Sequence, residues 1–162
     1  MNREVSIRQA TPNDLAQVKA IIDLSFPRFF RYFASHSVNS EEGRVLVAET
    51  EGAIAGFAKL IEFNVGGGKY GCVLWIAVHP SYRRRGIAYS LTNAGVDGLK
   101  KDGVQAVFAS TQRRNFASQH TLAKSGFRRI GFLGLWRMFG WRLFGFYGGI
   151  WYAPNEVVFI HE

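Results

Sequence analysis

From Tyr70 to Val78 the chain runs almost without a polar side chain, and Pro80 ends the run. A strand that is apolar on both faces has to be covered on both, which places it inside a sheet. The segment after it constrains function as tightly. Arg83-Arg84-Arg85-Gly86-Ile87-Ala88 leads straight into a segment with helical spacing, so a basic, glycine-containing loop sits between a buried strand and a helix N-terminus. Free backbone N–H groups, the helix dipole, three arginines and a glycine that lets main chain approach closely all favour an anion there, with a pyrophosphate as the natural guest. Taken alone, the hexapeptide reads equally well as a solvated basic turn.

The surrounding elements alternate. Val5 to Gln9 reads as a strand. Thr11-Pro12-Asn13-Asp14 is a helix start, with a capping Thr, a Pro at the first helical position and an acid at the third. Leu15, Val18 and Ile22 form its buried stripe until Pro27 stops it. Phe29, Phe30, Tyr32 and Phe33 come next as a second short helix, by default core or pocket wall. Arg44 to Thr50 and Ala53 to Phe63 flank Glu51-Gly52 as a hairpin, and Val65 to Gly68 is a loop before the apolar run. Ile87, Leu91, Ala94 and Gly98 mark one helix face, closed by Lys100, Lys101 and Gly103. Val104 to Ser110 is a strand, Asn115 to Ser125 a helix ending at Gly126, Phe127 begins an extended segment, and Glu156 to Ile160 is the last strand. The order predicts an α/β fold, a central mixed sheet of about seven strands flanked by about four helices.

The 162 residues suit one domain spanning 1–162, and 48% hydrophobic with 20% charged residues excludes a disordered or collagen-like chain. A formal charge of +8 favours an anionic partner without choosing among nucleic acid, a phosphorylated cofactor and a lipid surface. The single cysteine, Cys72, excludes a disulfide framework and a cysteine-based metal site, and no metal is expected. MNREVSIRQA has no apolar run of signal-sequence length, so the expected address is the cytoplasm.

Val78-His79-Pro80-Ser81-Tyr82-Arg83-Arg84-Arg85-Gly86-Ile87-Ala88 resembles the acetyl-CoA signature of the GNAT acyltransferase superfamily, where a buried strand ends at Val-x-Pro and leads into Gln/Arg-x-x-Gly-x-Gly/Ala. Asn115, Ser118, Lys124, Gly126 and Phe127 are similar to the family's later pattern of Asn, a small residue three on, and a helix closing in Gly-Phe. The inferred element order matches the GNAT acyl-CoA N-acyltransferase fold over nearly the whole chain. The resemblance implies acetyl-CoA wedged between two parted parallel strands, one ending at Val78 and one near Ser110. The amides of Arg84, Arg85, Gly86, Ile87 and Ala88 would hold the pyrophosphate with Arg83 as charge support. Ile76 and Val78 would offer main-chain groups to the pantetheine arm, Asn115 would contact it from the side, and Lys124 would lie near the 3′-phosphate.

It also implies direct transfer, in which a neutral amine attacks the thioester, a backbone N–H near Val78 stabilises the oxyanion, and an acid protonates the thiolate. Here the sequence departs from the pattern. The family often places a Tyr four residues before the Gly of Gly-Phe; this chain has Leu122, which has no proton to give. The frequent general-base carboxylate would fall near Cys72, most simply a small buried hydrophobe. Glu62, Tyr152 and Ser125 are the substitutes to test. His79 reads as a strand-end residue and His120 as a surface one. A water-relayed proton would also serve, because orientation supplies much of such a rate enhancement.

Gly131 to Tyr152 stands apart. It holds Trp136, Trp141 and Trp151 with five Phe or Tyr residues before Tyr152, inside a stretch from Gly103 to Asn155 that contains no Asp or Glu but seven Lys or Arg. A membrane span is not expected, since Arg137 and Arg142 would each cost about 2.5–3.5 kcal/mol at the bilayer centre and the glycines weaken the helix. Three roles fit: a lid over an apolar or aromatic acceptor, taken first; a homodimer contact; and a membrane-surface patch. The leading reading of the chain is an acetyl-CoA-dependent N-acetyltransferase acting on a primary amine of a small molecule or protein. The alternative is a non-catalytic acyl-CoA-binding regulatory module. Nucleic-acid binding gains only from the charge and the aromatics.

Overall fold

The computed structural model describes residues 4–162; Met1 to Arg3, part of the stretch read for a signal sequence, lie outside the described residues. In chain order the elements are β1 (Ser6–Gln9), α1 (Leu15–Ser25), α2 (Arg28–Asn39), β2 (Arg44–Thr50), β3 (Ala53–Val65), β4 (Gly68–Val78), α3 (Ile87–Lys101), β5 (Val107–Gln112), α4 (Phe116–Lys124), β6 (Arg128–Ile130), α5 (Phe132–Phe139), α6 (Leu143–Gly149) and β7 (Glu156–His161). The strands form a seven-stranded mixed sheet in the order β1-β2-β3-β4-β5-β7-β6, with β4 and β5 parallel. The sheet is the one expected. The described residues hold six α-helices rather than about four, and the two additions, α5 and α6, both lie in the aromatic stretch.

Two compact units emerge, each with its own core: residues up to Leu60 with Trp75–Gly95, and Ile61–Leu74 with Val96–Glu162. In the first, Val18, Ile21 and Ile22 of α1 and Ala34 and Val38 of α2 pack with Val45, Val47, Phe57 and Ala77 from β2, β3 and β4. The start of α1 is tied down by charge. Asp14 accepts from Thr11 N at 2.7 Å and Thr11 Oγ1 at 2.9 Å, and from both Arg8 Nη atoms at 2.7 and 3.0 Å. The Arg8 guanidinium, helped by the Thr11 backbone, holds the Asp14 carboxyl well below the usual carboxylate range. Lys59 is buried on β3, where its Nζ donates to the carbonyl of Ser40 at the end of α2 at 3.4 Å; burial pushes its ammonium below the ordinary lysine value.

The second unit is built around aromatic rings. Phe108 of β5 meets Phe146 of α6 at 4.7 Å between centroids, and Phe146 stacks on Phe139 of α5 at 4.7 Å. Leu135, Leu143 and Ile150 complete that side against Cys72, Val158 and Ile160. The packing is tight enough that a Cβ at Gly149 would come within 2.5 Å of the Phe63 ring, so only glycine fits there. Along α3 the buried stripe runs through Ile87, Leu91, Gly95 and Leu99, a four-residue step, rather than through Ala94 and Gly98. The fourth strand pairs with the fifth as Gly71↔Val107, Cys72↔Phe108 and Val73↔Ala109. β5 then continues through Ser110–Gln112, paired to β7.

Candidate active site

The candidate groups are distributed over both units. In the first, β4 ends at Val78 and His79 reverses the chain, its Nδ1 accepting from Ser81 N at 3.2 Å, which fits its reading as a strand-end residue. Arg83 Nε donates to the Val78 carbonyl at 3.1 Å and Arg83 Nη2 reaches Ser25 Oγ at 3.4 Å. This arginine therefore pins the turn to the strand and to the last residue of α1, and the Val78 carbonyl already has a donor. The Arg85 guanidinium lies 5.3 Å from the centre of the Tyr82 ring, a cation–π contact that keeps its charge beside the turn.

The backbone of this turn is unusual. Arg84 has φ of 63° and Gly86 of 76°. A non-glycine residue in the left-handed region is uncommon and tends to mark turns shaped for a ligand. Chain neighbours aside, no described residue lies within 4 Å of where a Gly86 Cβ would stand, so steric crowding does not explain the glycine; its dihedral angle and the open space in front of it do. Arg83, Arg84, Arg85 and Gly86 are exposed, Ile87 is buried as the first anchor of α3, and Ile76 and Val78 are half-buried. The first N–H groups of a helix have no acceptor within it. Open space, a left-handed glycine, unpaired helix N–H groups and arginine charge together fit a diphosphate.

In the second unit, Asn115 caps α4, its Oδ1 accepting from Ser118 N at 3.1 Å, which explains the three-residue spacing between them and leaves the Asn115 Nδ2 donor outward. Lys124 is exposed at the far end of the same helix, and Leu122, at the position of the missing Tyr, is buried. Ser125 Oγ is buried without a hydrogen-bond partner among the described residues, in the turn before Phe127, whose ring packs on His161 at 5.3 Å. That is the C-terminal end of β7. Glu62 forms an ion pair with Lys69 at 2.7 Å, and Lys69 also donates to Asp102 O at 2.9 Å, which places Glu62 beside the start of β4. Tyr152 donates to the Glu156 carbonyl at 3.3 Å, and its ring lies 4.7 Å from that of Tyr147.

One carboxylate belongs to no sequence motif. Glu156, the first residue of β7, accepts from Ser110 Oγ at 2.8 Å and from Ala153 N at 3.0 Å. Its charge reaches Cys72: burial first, and the Glu156 carboxylate second, push the Cys72 thiol far above its usual value. Cys72 therefore stays a neutral thiol, which removes it as a nucleophile. Ser110, Tyr152 and Glu156 thus meet at the N-terminal end of β7, whereas Cys72 lies level with Phe108 and Ile160, toward the other end of that strand. Ser125 is near the other end of β7, a strand about 17 Å long at the usual rise. The one signal for Glu156 in the sequence is its place as the first acid after the acid-free stretch from Gly103 to Asn155.

The sequence profile described as "Acetyltransferase (GNAT) family" matches residues 14–127. No curated protein matches the chain by sequence. Among solved structures, a GNAT-family protein from Desulfovibrio desulfuricans superposes with a TM-score of 0.75 at 18% identity, covering 98% of this chain and 99% of the other. The ribosomal-protein-S18-alanine N-acetyltransferase from Escherichia coli gives 0.67 at 20% identity over 97% and 92%. The aminoglycoside N-acetyltransferase AAC(6′)-Iy, solved with CoA, gives 0.67 at 21% identity over 81% and 92%. The fold is that of the acyl-CoA N-acyltransferases. The chain belongs to the GNAT acetyltransferase family, whose cosubstrate is acetyl-CoA.

Proposed function

We propose that this chain, working as one domain over 1–162, transfers an acetyl group from acetyl-CoA to a primary amine by direct attack on the thioester. The observation that carries the reading is the turn from Arg83 to Ala88, with its left-handed Arg84 and Gly86 and the open space in front of Gly86. The amides of Arg84 to Ala88 would hold the diphosphate, Arg84 and Arg85 would add charge, and Arg83 would keep the turn fixed to β4. Ile76 and Val78 would face the pantetheine arm through main-chain groups, Asn115 would donate to it through Nδ2, and Lys124 would lie near the 3′-phosphate. When bound, acetyl-CoA supplies a thioester carbonyl already activated toward an amine.

Glu156 is the carboxylate we assign to the proton lost by the incoming amine, with Ser110 Oγ holding it in place, and Tyr152, whose hydroxyl donates to the Glu156 backbone carbonyl, is the group we assign to return a proton to the leaving sulfur. Glu62, held by Lys69, and Ser125, at the far end of β7, are set aside for this step. The acceptor we infer is apolar or aromatic. Phe26 and Phe30 meet Trp75 edge-on at 5.4 and 6.2 Å, an aromatic cluster in the first unit that suits an apolar or aromatic acceptor.

A second reading, a non-catalytic acyl-CoA-binding module, draws on Leu122 and Cys72 at the two positions where the family often carries its acid and base. One pair of measurements separates them: calorimetric titration with acetyl-CoA, and thiol release from acetyl-CoA across a library of primary amines. Binding with amine-dependent turnover supports transfer; binding without turnover leaves the module; absence of binding removes both.

A further inference from the structure

The aromatic stretch contributes two different surfaces. Leu135, Phe139, Leu143, Phe146 and Ile150 are buried in the core of the second unit. α5, α6 and the turn between them also carry exposed apolar side chains: Trp141, in the turn, keeps 82% and Phe144 79% of their accessible surface, and Phe132, Leu133 and Met138 are exposed with them. Phe132 stacks on Trp136 at 6.0 Å and Trp136, half-buried against the core, meets Trp141 edge-on at 5.1 Å, so these three rings form one connected band, and Leu133, Met138 and Phe144 are exposed on the same short stretch of chain. Arg137 and Arg142 stand exposed within the band.

We propose that this band docks the protein onto an anionic lipid bilayer, lying in the headgroup region with α5 and α6 parallel to the membrane plane. Three observations select that occupant. First, tryptophan, phenylalanine and arginine on one short helical surface are the side chains that partition to the interface, with rings at the acyl boundary and guanidinium groups among the phosphates. Second, no acidic residue occurs from Gly103 to Asn155. Two copies meeting through this band would bring Arg137 and Arg142 of each against those of the other with no nearby carboxylate in the segment, whereas lipid phosphates supply the missing charge. Third, Phe132, Leu133, Met138 and Phe144 offer no hydrogen-bond donor, so most of the exposed area suits hydrocarbon rather than a nucleic-acid backbone. Docking requires no span, and no described helix is long and apolar enough to cross a membrane.

The test is flotation of the full chain with phosphatidylcholine vesicles and with vesicles containing about one third phosphatidylglycerol, combined with tryptophan quenching by brominated lipid. Docking predicts association with the anionic vesicles that weakens as salt rises, and a loss of about fivefold in partitioning for Arg137→Gln. Replacing Trp141 and Phe144 together by Ser should lower partitioning by at least about tenfold while acetyl-CoA binding stays at the wild-type value, which also shows that the variant is folded. The proposal is overturned by any of three results: no association with anionic vesicles at low salt, unchanged association in the double variant, or a concentration-dependent dimer or an RNA complex that protects Trp141 from quenching while vesicles do not.

Discussion

The two units place their chemical groups in opposite ways. In the first, every element of the proposed diphosphate turn lies within one short run, Val78 to Ala88, and its geometry comes from local rules: a proline ends the strand, a glycine takes a positive φ, a helix begins. In the second, the groups that matter come from distant parts of the chain. Cys72, Ser110 and Glu156 lie on three strands, and Phe63, Phe108, Phe139 and Phe146 meet only through the sheet and the helices on it. A local turn can be altered without disturbing the fold around it, whereas an assembled cluster fails together with its packing.

The largest effect should fall on the assembled cluster. Glu156→Gln keeps an acceptor for Ser110 and Ala153 but cannot take a proton. We expect kcat for amine acetylation to fall by about 10²–10⁴-fold with acetyl-CoA affinity unchanged. A variant of near-wild-type kcat would return the proton to solvent and break the contrast between the units. Phe146→Ala, in the same unit, removes a fully buried ring that meets four other aromatic residues, and should cost about 3–5 kcal/mol in denaturant unfolding.

The turn should respond differently. Gly86→Asp places a carboxylate where the diphosphate is expected and should weaken acetyl-CoA binding by about 100-fold or more, about 2.7 kcal/mol, while unfolding loses only the roughly 1–2 kcal/mol that a side chain costs at a φ of 76°, since no other residue crowds the position. Wild-type affinity in this variant would undo the diphosphate assignment. Smallest is Asp14→Asn. The folded-state pKa of Asp14 is depressed, so its contribution to stability is fully present above its unfolded value of about 3.9 and disappears as pH falls below it. Stability profiles of the two proteins should therefore differ at neutral pH and converge in strong acid. Parallel profiles would show that the Arg8–Asp14 pair is replaced by solvent without loss.

Much of the fold was legible because its signals are local. The second strand matches its predicted bounds, α3 runs to the expected Lys101, and Gly103 and Gly126 take the positive φ expected of residues that close helices. The fifth strand begins three residues later than the pattern suggested, because Gln105 N is held by the Lys69 carbonyl before the ladder starts. The aromatic stretch was unreadable for a different reason. Leu135, Phe139, Leu143, Phe146 and Ile150 do recur at helical spacing, but Phe132, Trp136, Trp141 and Phe144 between them erase the contrast between faces, and the glycines argue against a helix.

By itself the sequence determined the sheet-and-helix order, the basic glycine turn and the absence of the family's usual Tyr, since each depends on neighbours a few residues apart. Only the tertiary structure decided which half of the aromatic side chains enters the core, which carboxylate stands beside Ser110, and that Arg83 serves the turn rather than the solvent. Those outcomes depend on strand pairing between residues far apart in the chain, and spacing along one segment carries no record of what lies opposite it.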